Sequence, residues 1–330
     1  SAGSGMYLMR AESPGPSVGK LTPHLRQTAL ILYGLYMLLT VLCIGFLLLG
    51  GMPLFDSLCI AFGTAGTGGF AIRNSGMADY SAYLQNVVTV FMFLFGVNFS
   101  LYYLLLLRQF KSVFKNEERR LYAGIGGGAI VLITIDISRM YGSGREARHH
   151  AAFQVSSIMT TTGFASVDFE QWPAFSKAVL LALMFVGACA GSTAGGLKVS
   201  RVLLLLKSIR RTVRRAIHPR RVQSVRMDGR VVDAAVLNNV NAYLAVYCVI
   251  LLLSFVVVSV DGYSIGTNLS AVASCFNNVG PGFELVGATG NYGHYSDVSK
   301  LVLTADMLLG RLEIFPLLAL FSPDTWSRKR

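Results

Sequence analysis

Three short segments rich in threonine and glycine interrupt the apolar sequence, and their residue types suit cation binding. They read Gly66-Thr67-Gly68-Gly69-Phe70, Thr161-Thr162-Gly163-Phe164 and Asn278-Val279-Gly280-Pro281-Gly282-Phe283. Glycine adopts, with least strain, the dihedral angles that turn several carbonyl oxygens to one side. Rings of backbone carbonyls replace the hydration shell of a cation in channel filters. The candidate ion-binding positions are Thr67, Gly68, Gly69, Thr161, Thr162, Gly163, Asn278, Val279 and Gly280.

The composition of these segments indicates which ion they would hold. No carboxylate lies inside any of them, and Glu284 only follows the third. Ca²⁺ would recruit carboxylates, whereas neutral carbonyls suit a weakly hydrated monovalent ion such as K⁺, which would be transported rather than kept as a cofactor. Any one segment alone would be better explained as a helix cap or a close helix crossing. Three in register favour an ion pathway.

The surrounding sequence is that of an integral membrane protein, with 53% hydrophobic and 14% charged residues and a mean hydropathy of +0.54. Soluble domains carry about 25% charged residues. A long apolar run, a shorter one, a glycine turn and another long run occur in this order three times. Runs of about 20 residues span a bilayer, and shorter ones are typical of re-entrant segments. The long runs are 28–50, 122–137 and 236–260, the short ones 53–65, 148–159 and 265–276, and the closing ones 87–107, 175–206 and 301–321.

The pattern predicts an all-α integral membrane fold, in which repeated helix–pore-loop–helix units surround a pseudo-symmetric ion pathway. Residues 198–230 contain eleven Lys or Arg and one acid, whereas 71–85 contain one Arg and one Asp. Because excess Lys and Arg marks the cytoplasmic side, the glycine turns enter from outside. The basic run either sets the topology as a solvated helix or docks a cytoplasmic partner. The predicted divisions are 1–27 (linker), 28–107, 108–206 (a repeat with a broken second helix), 207–235 (basic cytoplasmic connector) and 236–330 (a repeat and a basic tail).

A second interruption lies inside the run 175–206, which is longer than one span requires. Glycine costs about 1 kcal/mol relative to alanine inside a helix, and no large side chain occurs from Gly187 to Gly196. The pattern favours two half-helices joined by a loop on the cytoplasmic side of the filter, which would be a candidate gate. The alternative is a close helix crossing. The candidate gating-loop residues are Gly187, Gly191, Ser192, Thr193, Gly195 and Gly196.

Arg311 lies inside the last apolar run, close to Glu313. Ionisable residues at membrane depth are costly and indicate function by default. Arg311 is therefore a candidate pore-lining charge, which would either repel cations below the filter or hold the gating loop through its carbonyls. The alternative is that both side chains extend to the membrane surface.

Several of these segments together resemble a known family. They are Thr160-Thr161-Thr162-Gly163-Phe164, Gly66-Thr67-Gly68-Gly69-Phe70, Asn277 to Gly282, Cys189 to Arg201 and Gly310 to Phe315. The combination resembles the Trk/Ktr/HKT superfamily of potassium transporters and, within it, the bacterial TrkH/TrkG type. The resemblance implies four repeats around one K⁺ pathway, a homodimer, and a cytoplasmic ring of RCK-type nucleotide-binding regulatory subunits. It also implies filter roles for Gly69, Gly163 and Gly280, a gating role for Gly187–Gly196 and a pore role for Arg311.

The sequence contains three repeats, and Met6–Pro16 looks like the linker that follows the first repeat in this family. We therefore expect a fragment that carries the second to fourth repeats. The expected function is potassium uptake by a multi-pass protein of the bacterial inner membrane, with no enzymatic activity and no nucleic-acid partner. The alternatives are a secondary transporter that binds a solute at broken helices, a non-conducting fragment, and an intramembrane enzyme using Ser192 or the pair His149 and His150.

Overall fold

The computed structural model describes residues 25–218, 223–312 and 314–320. Most of the predicted linker 1–27, Glu313 and the basic tail lie outside the described residues. The helices are α1 (Leu25–Leu49), α2 (Leu54–Ala65), α3 (Ala82–Phe95), α4 (Phe99–Leu106), α5 (Phe110–Lys115), α6 (Glu117–Ile137), α7 (Gly144–Met159), α8 (Ala174–Val186), α9 (Val199–Ile217), α10 (Ala234–Val258), α11 (Ile265–Asn277), α12 (Asp297–Arg311) and α13 (Ile314–Leu320). A two-residue hairpin pairs β1 (Arg226–Met227) with β2 (Arg230–Val231), and 3₁₀ turns occupy Phe169–Gln171, Ser259–Asp261 and Glu284–Val286.

Helices α1, α6 and α10 are long and apolar enough to cross a membrane, and α3 with α4 would form a fourth span if that bent pair counts as one. Their outward faces carry large apolar side chains that are exposed on the protein surface, such as Leu38, Leu42, Ile135 and Leu252. Lipid solvates such faces as well as a protein core would. The protein is therefore an all-α integral membrane protein.

The helices form three units of the same plan, each with a long helix, a short helix and a closing helix in mutual contact. The units are α1–α2–α3, α6–α7–α8 and α10–α11–α12. The closing helix of one unit also packs on the short helix of the next, α3 on α7 and α8 on α11. Side-chain oxygens of Ser81, Ser143 and Ser264 accept backbone hydrogen bonds at the starts of α3, α7 and α11, as expected of N-cap residues. The short helices end at the glycine turns.

The apolar run 87–107 is bent, whereas the sequence favours one continuous span. Helix α3 ends at Phe95, α4 begins at Phe99, and the two axes differ by 90°. The side chain of Asn98 caps α4 by accepting from Ser100 N at 2.9 Å. The freed backbone binds the loop between α8 and α9, since Gly96 O accepts from Cys189 N at 3.0 Å and Phe99 N donates to Gly191 O at 3.1 Å.

The last apolar run, 301–321, is also interrupted, whereas the sequence favours an unbroken helix there. Helix α12 ends at Arg311 and Leu312 is extended, with φ −90° and ψ 144°. Pro316 supplies the physical reason, because it has no N–H to donate to the carbonyl of residue 312 and its ring would collide with that group in a continuous helix. The interruption places Arg311 at a helix end.

Aromatic side chains that follow the turns join neighbouring units. Phe164 of the second unit is 1% exposed and belongs to the apolar core built by α1, α2 and α3. Phe283 of the third unit belongs to the core of the second, with its ring centroid 5.7 Å from that of Phe169. Phe70, which follows the first turn, is 84% exposed. The cores of the first and second units are thus each completed by a ring from the unit that follows.

Candidate ion pathway

The three glycine turns share one backbone conformation. Among the three predicted ion-binding residues of each turn, the first has a left-handed φ, which is 51° at Thr67, 55° at Thr161 and 58° at Asn278. The third residue of each is a glycine with positive φ, 63° at Gly69, 90° at Gly163 and 109° at Gly280. Non-glycine residues rarely adopt such angles. The same departure at the same place in all three turns makes them structurally equivalent.

The backbone N–H groups of each turn fold back on the short helix that precedes it. Gly68 N and Gly69 N both donate to Gly63 O, at 2.8 and 3.4 Å. Thr162 N and Gly163 N donate in the same way to Ser157 O. In the third turn, Val279 N donates to Ser274 O at 2.9 Å and Gly280 N to Ser274 Oγ at 3.0 Å.

The carbonyl oxygens of the turns are left free by this arrangement. Among the described residues, no donor reaches the carbonyl oxygen of eight of the nine predicted ion-binding residues. The exception is Gly280, whose carbonyl accepts from the Tyr292 hydroxyl at 2.7 Å. Buried carbonyls without partners are uncommon in proteins. Four of the eight belong to buried residues, Thr67, Thr161, Thr162 and Val279, so the three equivalent turns hold an unusual number of carbonyls without partners among the described residues.

The turns lie against one another. A Cβ atom added to Gly69 would lie 1.9 Å from Thr162 O, and one added to Gly163 would lie 2.2 Å from Val279 O. The first turn therefore touches the second and the second touches the third, at distances that exclude any side chain at these glycines. The structure brings all nine predicted residues together.

The loop between α8 and α9 contacts all three turns. The Thr67 hydroxyl donates to Thr193 O at 2.9 Å, and Gly195 N donates to the Thr161 hydroxyl at 2.6 Å. A Cβ at Gly195 would lie 3.2 Å from Asn278 Cβ in the third turn and 2.5 Å from Asn277 O at the end of α11. This loop, which we call the 187–198 loop, therefore covers one end of the space between the turns.

Local contacts explain why the 187–198 loop needs small residues. Gly187, Gly191 and Gly196 have φ of 69°, 68° and 74°. A Cβ at Gly187 would lie 2.8 Å from Gly195 O, so the two ends of the loop meet at backbone contact. The Ser192 hydroxyl donates to Cys189 O at 2.6 Å. All six predicted gating-loop residues lie in this one loop.

Arg311 contacts the same loop. Its Nη1 donates to Thr193 O at 2.8 Å, so that this carbonyl accepts from both Arg311 and Thr67. The sequence analysis left two roles open for Arg311, repulsion of cations and a hydrogen bond to the loop. The hydrogen bond to a loop carbonyl is present in the structure. A guanidinium hydrogen bond to a carbonyl is charge-assisted and stronger than a neutral one.

Two buried ionisable residues at the loop were missed from the sequence. Glu118 is 3% exposed, and its Oε1 accepts from Ala190 N at 2.6 Å. Lys198 is fully buried, and its ammonium donates to Ala194 O. The burial of Glu118 could have been predicted from helical spacing. It lies on one buried face of α6 with Tyr122, Gly126, Ala129 and Ile133.

The carboxylate of Glu284 lies away from the third turn. It accepts hydrogen bonds from the hydroxyls of Ser264 and, at 2.6 Å, Thr267. The hydrogen bond from Ser264 and, to a smaller extent, that from Thr267 lower the pKa of the Glu284 carboxyl from its usual value. Glu284 N also donates to Glu170 Oε2 at 2.8 Å, and Glu170 pairs with Lys177 at 2.7 Å. Glu284 and Glu170 are therefore engaged with hydroxyls, an amide and a lysine.

The chain is similar to proteins of one family over almost its full length. A family model described as TrkH, cation transport protein, matches residues 3–122 and 137–329. The Trk system potassium uptake protein TrkH of Salmonella typhimurium is 35% identical over 327 residues, which cover 98% of this chain and 67% of that protein. The potassium uptake protein TrkG of Escherichia coli K12 is 34% identical over 330 residues, with the same coverage.

A solved structure has the same fold. The crystal structure of the potassium transporter TrkH from Vibrio parahaemolyticus superimposes with a TM-score of 0.86 at 32% sequence identity, and covers 98% of this chain and 69% of that one. The three equivalent units and the free carbonyls of their turns are consistent with this similarity, which covers 98% of the chain. The chain belongs to the TrkH family of cation transport proteins.

Proposed function

We propose that this protein takes up potassium ions through the space between the three glycine turns. The observation that carries the proposal is the set of eight turn carbonyls without hydrogen-bond donors among the described residues. The N–H groups of the same residues donate hydrogen bonds to the preceding short helices. The carbonyl oxygens are therefore held in place before an ion arrives. Such pre-organised carbonyls replace the water of a cation that enters the filter.

Potassium is the proposed ion for two reasons. Within the described turns the ligands are neutral oxygens, which suit a large monovalent cation better than a divalent one. The relatives are named as potassium uptake proteins. We extend the proposal to a bacterial inner-membrane location with no cofactor besides the transported ion, and to the absence of a nucleic-acid partner.

The competing functions find little support in the geometry. An enzyme with Ser192 as its nucleophile would need a base beside that residue, but the Ser192 hydroxyl donates to Cys189 O. The two histidines form hydrogen bonds with other residues, His149 with Gln85 and Asn86, and His150 with Ser166. A carrier for an organic solute would need polar groups suited to a larger ligand. The turns offer main-chain oxygens at backbone contact distance from one another, which fits a single monatomic ion better than an organic solute.

The test of the proposed function is deletion of the gene from its own host, where any partner proteins are present. We expect the deletion strain to require more K⁺ for growth and to take up ⁸⁶Rb⁺ more slowly, and an intact copy of the gene to restore both. An organic-solute carrier would leave ⁸⁶Rb⁺ uptake unchanged. Normal ⁸⁶Rb⁺ uptake in a strain without any second potassium system would refute the proposal.

The same proposal assigns gating to the 187–198 loop. The loop covers the space between the turns through contacts with Thr67 and Thr161, and it has to move aside before an ion can pass. We propose that Arg311 and Glu118 hold its closed position. A homodimer and a cytoplasmic nucleotide-binding regulatory subunit complete the proposed assembly. The family resemblance supports these partners, and the basic residues of α9 offer a surface for the second.

Replacing Glu118 with alanine is expected to raise K⁺ flux per molecule, because Ala190 N loses its partner on α6. A hydrogen bond to a charged group contributes about 1.5–3 kcal/mol, which corresponds to an increase of about 10- to 100-fold in the population with a displaced loop. The measurement is ⁸⁶Rb⁺ uptake normalised to the amount of protein in the membrane.

The matched control is Glu118→Gln, which retains a side-chain oxygen that can accept from Ala190 N. We expect its flux to be closer to that of the unaltered protein than to that of Glu118→Ala. Equal flux in all three proteins would show that Glu118 does not hold the loop.

A further inference from the structure

A cavity of about 1050 Å³ lies away from the three turns, on the side that the excess of Lys and Arg assigns to the cytoplasm. Its walls come from α4, α5, the first turn of α6, α9, the start of α10 and the β1–β2 hairpin. The walls belong to two basic connectors, of which residues 108–120 contain five Lys or Arg. The cavity has no part in the proposed ion pathway.

Three basic side chains line this cavity: Lys115, Arg120 and Arg230. Within the described part of the chain, none of them forms an ion pair with a carboxylate. They come from the end of α5, the first turn of α6 and strand β2, so three separate elements bring positive charge to one space.

The acidic residues of the same cavity are largely engaged by other groups. Glu117 pairs with Lys207. Asp228 accepts from the side chain of Asn116 and from Glu117 N, both at 2.8 Å. Asp233, at the start of α10, is the remaining lining carboxylate. Hydrogen bonds from an amide and a backbone N–H leave the charge of Asp228 in place. With Glu117 neutralised by Lys207, the three lining cations therefore face two lining carboxylates, Asp228 and Asp233, which leaves a net charge of one positive unit.

Part of the remaining lining is apolar, and it lies beside the polar side chains of Gln109, Ser112 and Asn116. Leu101, Leu104, Leu204 and Val236 contribute to the walls. Helix α5, which contributes Lys115, carries two phenylalanines that are exposed on its outer face, Phe110 and Phe114. Bulky apolar residues beside lysines are typical of segments at the boundary between lipid and water. The cavity therefore combines an apolar wall with unpaired cations at that boundary.

We propose that this cavity binds a phosphate-bearing ligand, with the phosphate on Lys115, Arg120 and Arg230. Arginine forms forked hydrogen bonds to phosphate oxygens, and lysine adds a point charge. The phosphate has two sources on this side of the membrane, an anionic phospholipid of the cytoplasmic leaflet or a soluble phosphate. The apolar wall favours the lipid, since basic pockets at the cytoplasmic ends of membrane helices bind lipid head groups.

The test uses the purified full chain in nanodiscs of two compositions. One contains equal parts of phosphatidylglycerol and phosphatidylcholine, the other phosphatidylcholine alone with added inorganic phosphate. Native mass spectrometry after release from the discs counts the lipid or phosphate that stays bound. We expect phosphatidylglycerol to be retained at least about 10-fold over phosphatidylcholine, in line with the attraction of basic pockets for anionic head groups.

The variant Lys115→Gln/Arg120→Gln/Arg230→Gln should lose this retention. Its matched control is Arg210→Gln/Arg211→Gln/Arg214→Gln on α9, which removes the same charge from residues outside the cavity lining and should retain the lipid. Asp233→Asn provides a second test that keeps a good helix N-cap. Because it removes the unpaired lining carboxylate, it should increase retention about 2- to 3-fold, as expected for one fewer like charge near a phosphate.

Each outcome decides the proposal. Selective retention of phosphatidylglycerol that depends on the three basic residues supports the lipid source. Retention of inorganic phosphate alone, with the same dependence, supports the soluble source. Retention of neither ligand, or equal loss in the cavity variant and in the α9 control, overturns the site. Weaker retention in Asp233→Asn would also contradict it.

Discussion

Replacing Gly163 with alanine is expected to abolish potassium uptake. The new Cβ would lie 2.2 Å from Val279 O, and φ at this position is +90°. Neither problem is relieved by rotating a side chain, because the opposing atom belongs to the backbone. Relief requires the second and third turns to move apart, which would displace the carbonyls of both. The measurement is ⁸⁶Rb⁺ uptake by cells that carry the altered gene, normalised to the amount of protein in the membrane.

Gly51→Ala is the matched control for this prediction. Gly51 also has a positive φ, +80°, but a Cβ there would have nothing within 4 Å. It therefore carries the same backbone strain without the collision, and we expect uptake close to that of the unaltered protein. Comparable uptake by Gly163→Ala and Gly51→Ala would show that the contact between the turns is not needed for ion passage.

Replacing Arg311 with alanine is expected to raise K⁺ flux about 10- to 100-fold when the loop is closed in most molecules. The substitution removes the hydrogen bond from Nη1 to Thr193 O. Charge-assisted bonds of this kind contribute about 1.5–3 kcal/mol, and each 1.4 kcal/mol changes an equilibrium about tenfold. It also removes a positive charge beside the proposed pathway, which would otherwise repel a cation. Ion flux into liposomes that contain the purified variant measures the effect.

Two further variants separate the causes. Arg311→Lys keeps the charge but loses the planar fork of donors, so an intermediate flux would indicate that both charge and hydrogen bonding matter. Arg139→Ala removes an exposed arginine from the turn that follows α6 and should leave the flux unchanged. A flux for Arg311→Ala at or below that of the unaltered protein would contradict the role proposed for this residue.

The sequence was sufficient to predict the repeated plan and the positions of the turns. Glycine and threonine at Gly69, Thr161 and Gly163 follow apolar runs too short to cross a bilayer, and this local pattern does not depend on distant contacts. Four glycines within ten residues likewise identified the break in the run 175–206. These features follow from backbone preferences, which are visible in a short window of sequence.

The bend at Gly96–Asn98 and the role of Glu118 could not be predicted in the same way. The bend is stabilised by Cys189 N and Gly191 O, which lie about 90 residues away in the chain. The charge of Glu118 was counted only toward membrane orientation, because its partner Ala190 N is a backbone group with no distinctive sequence. Both features depend on pairing between units, which composition and periodicity do not specify. The break before α13 could have been predicted, because Pro316 is visible in the sequence and interrupts a continuous helix.

The phenylalanine rings that pass between units have a consequence for biosynthesis. The ring that fills the core of α1–α3 belongs to Phe164, which leaves the ribosome 94 residues after Phe70. At roughly 5–20 residues per second, the first helices wait for several seconds in the bilayer with an empty pocket for this ring. Insertion must therefore keep the nascent helices together until the next aromatic residue arrives. The order of synthesis and the order of core completion are then the same.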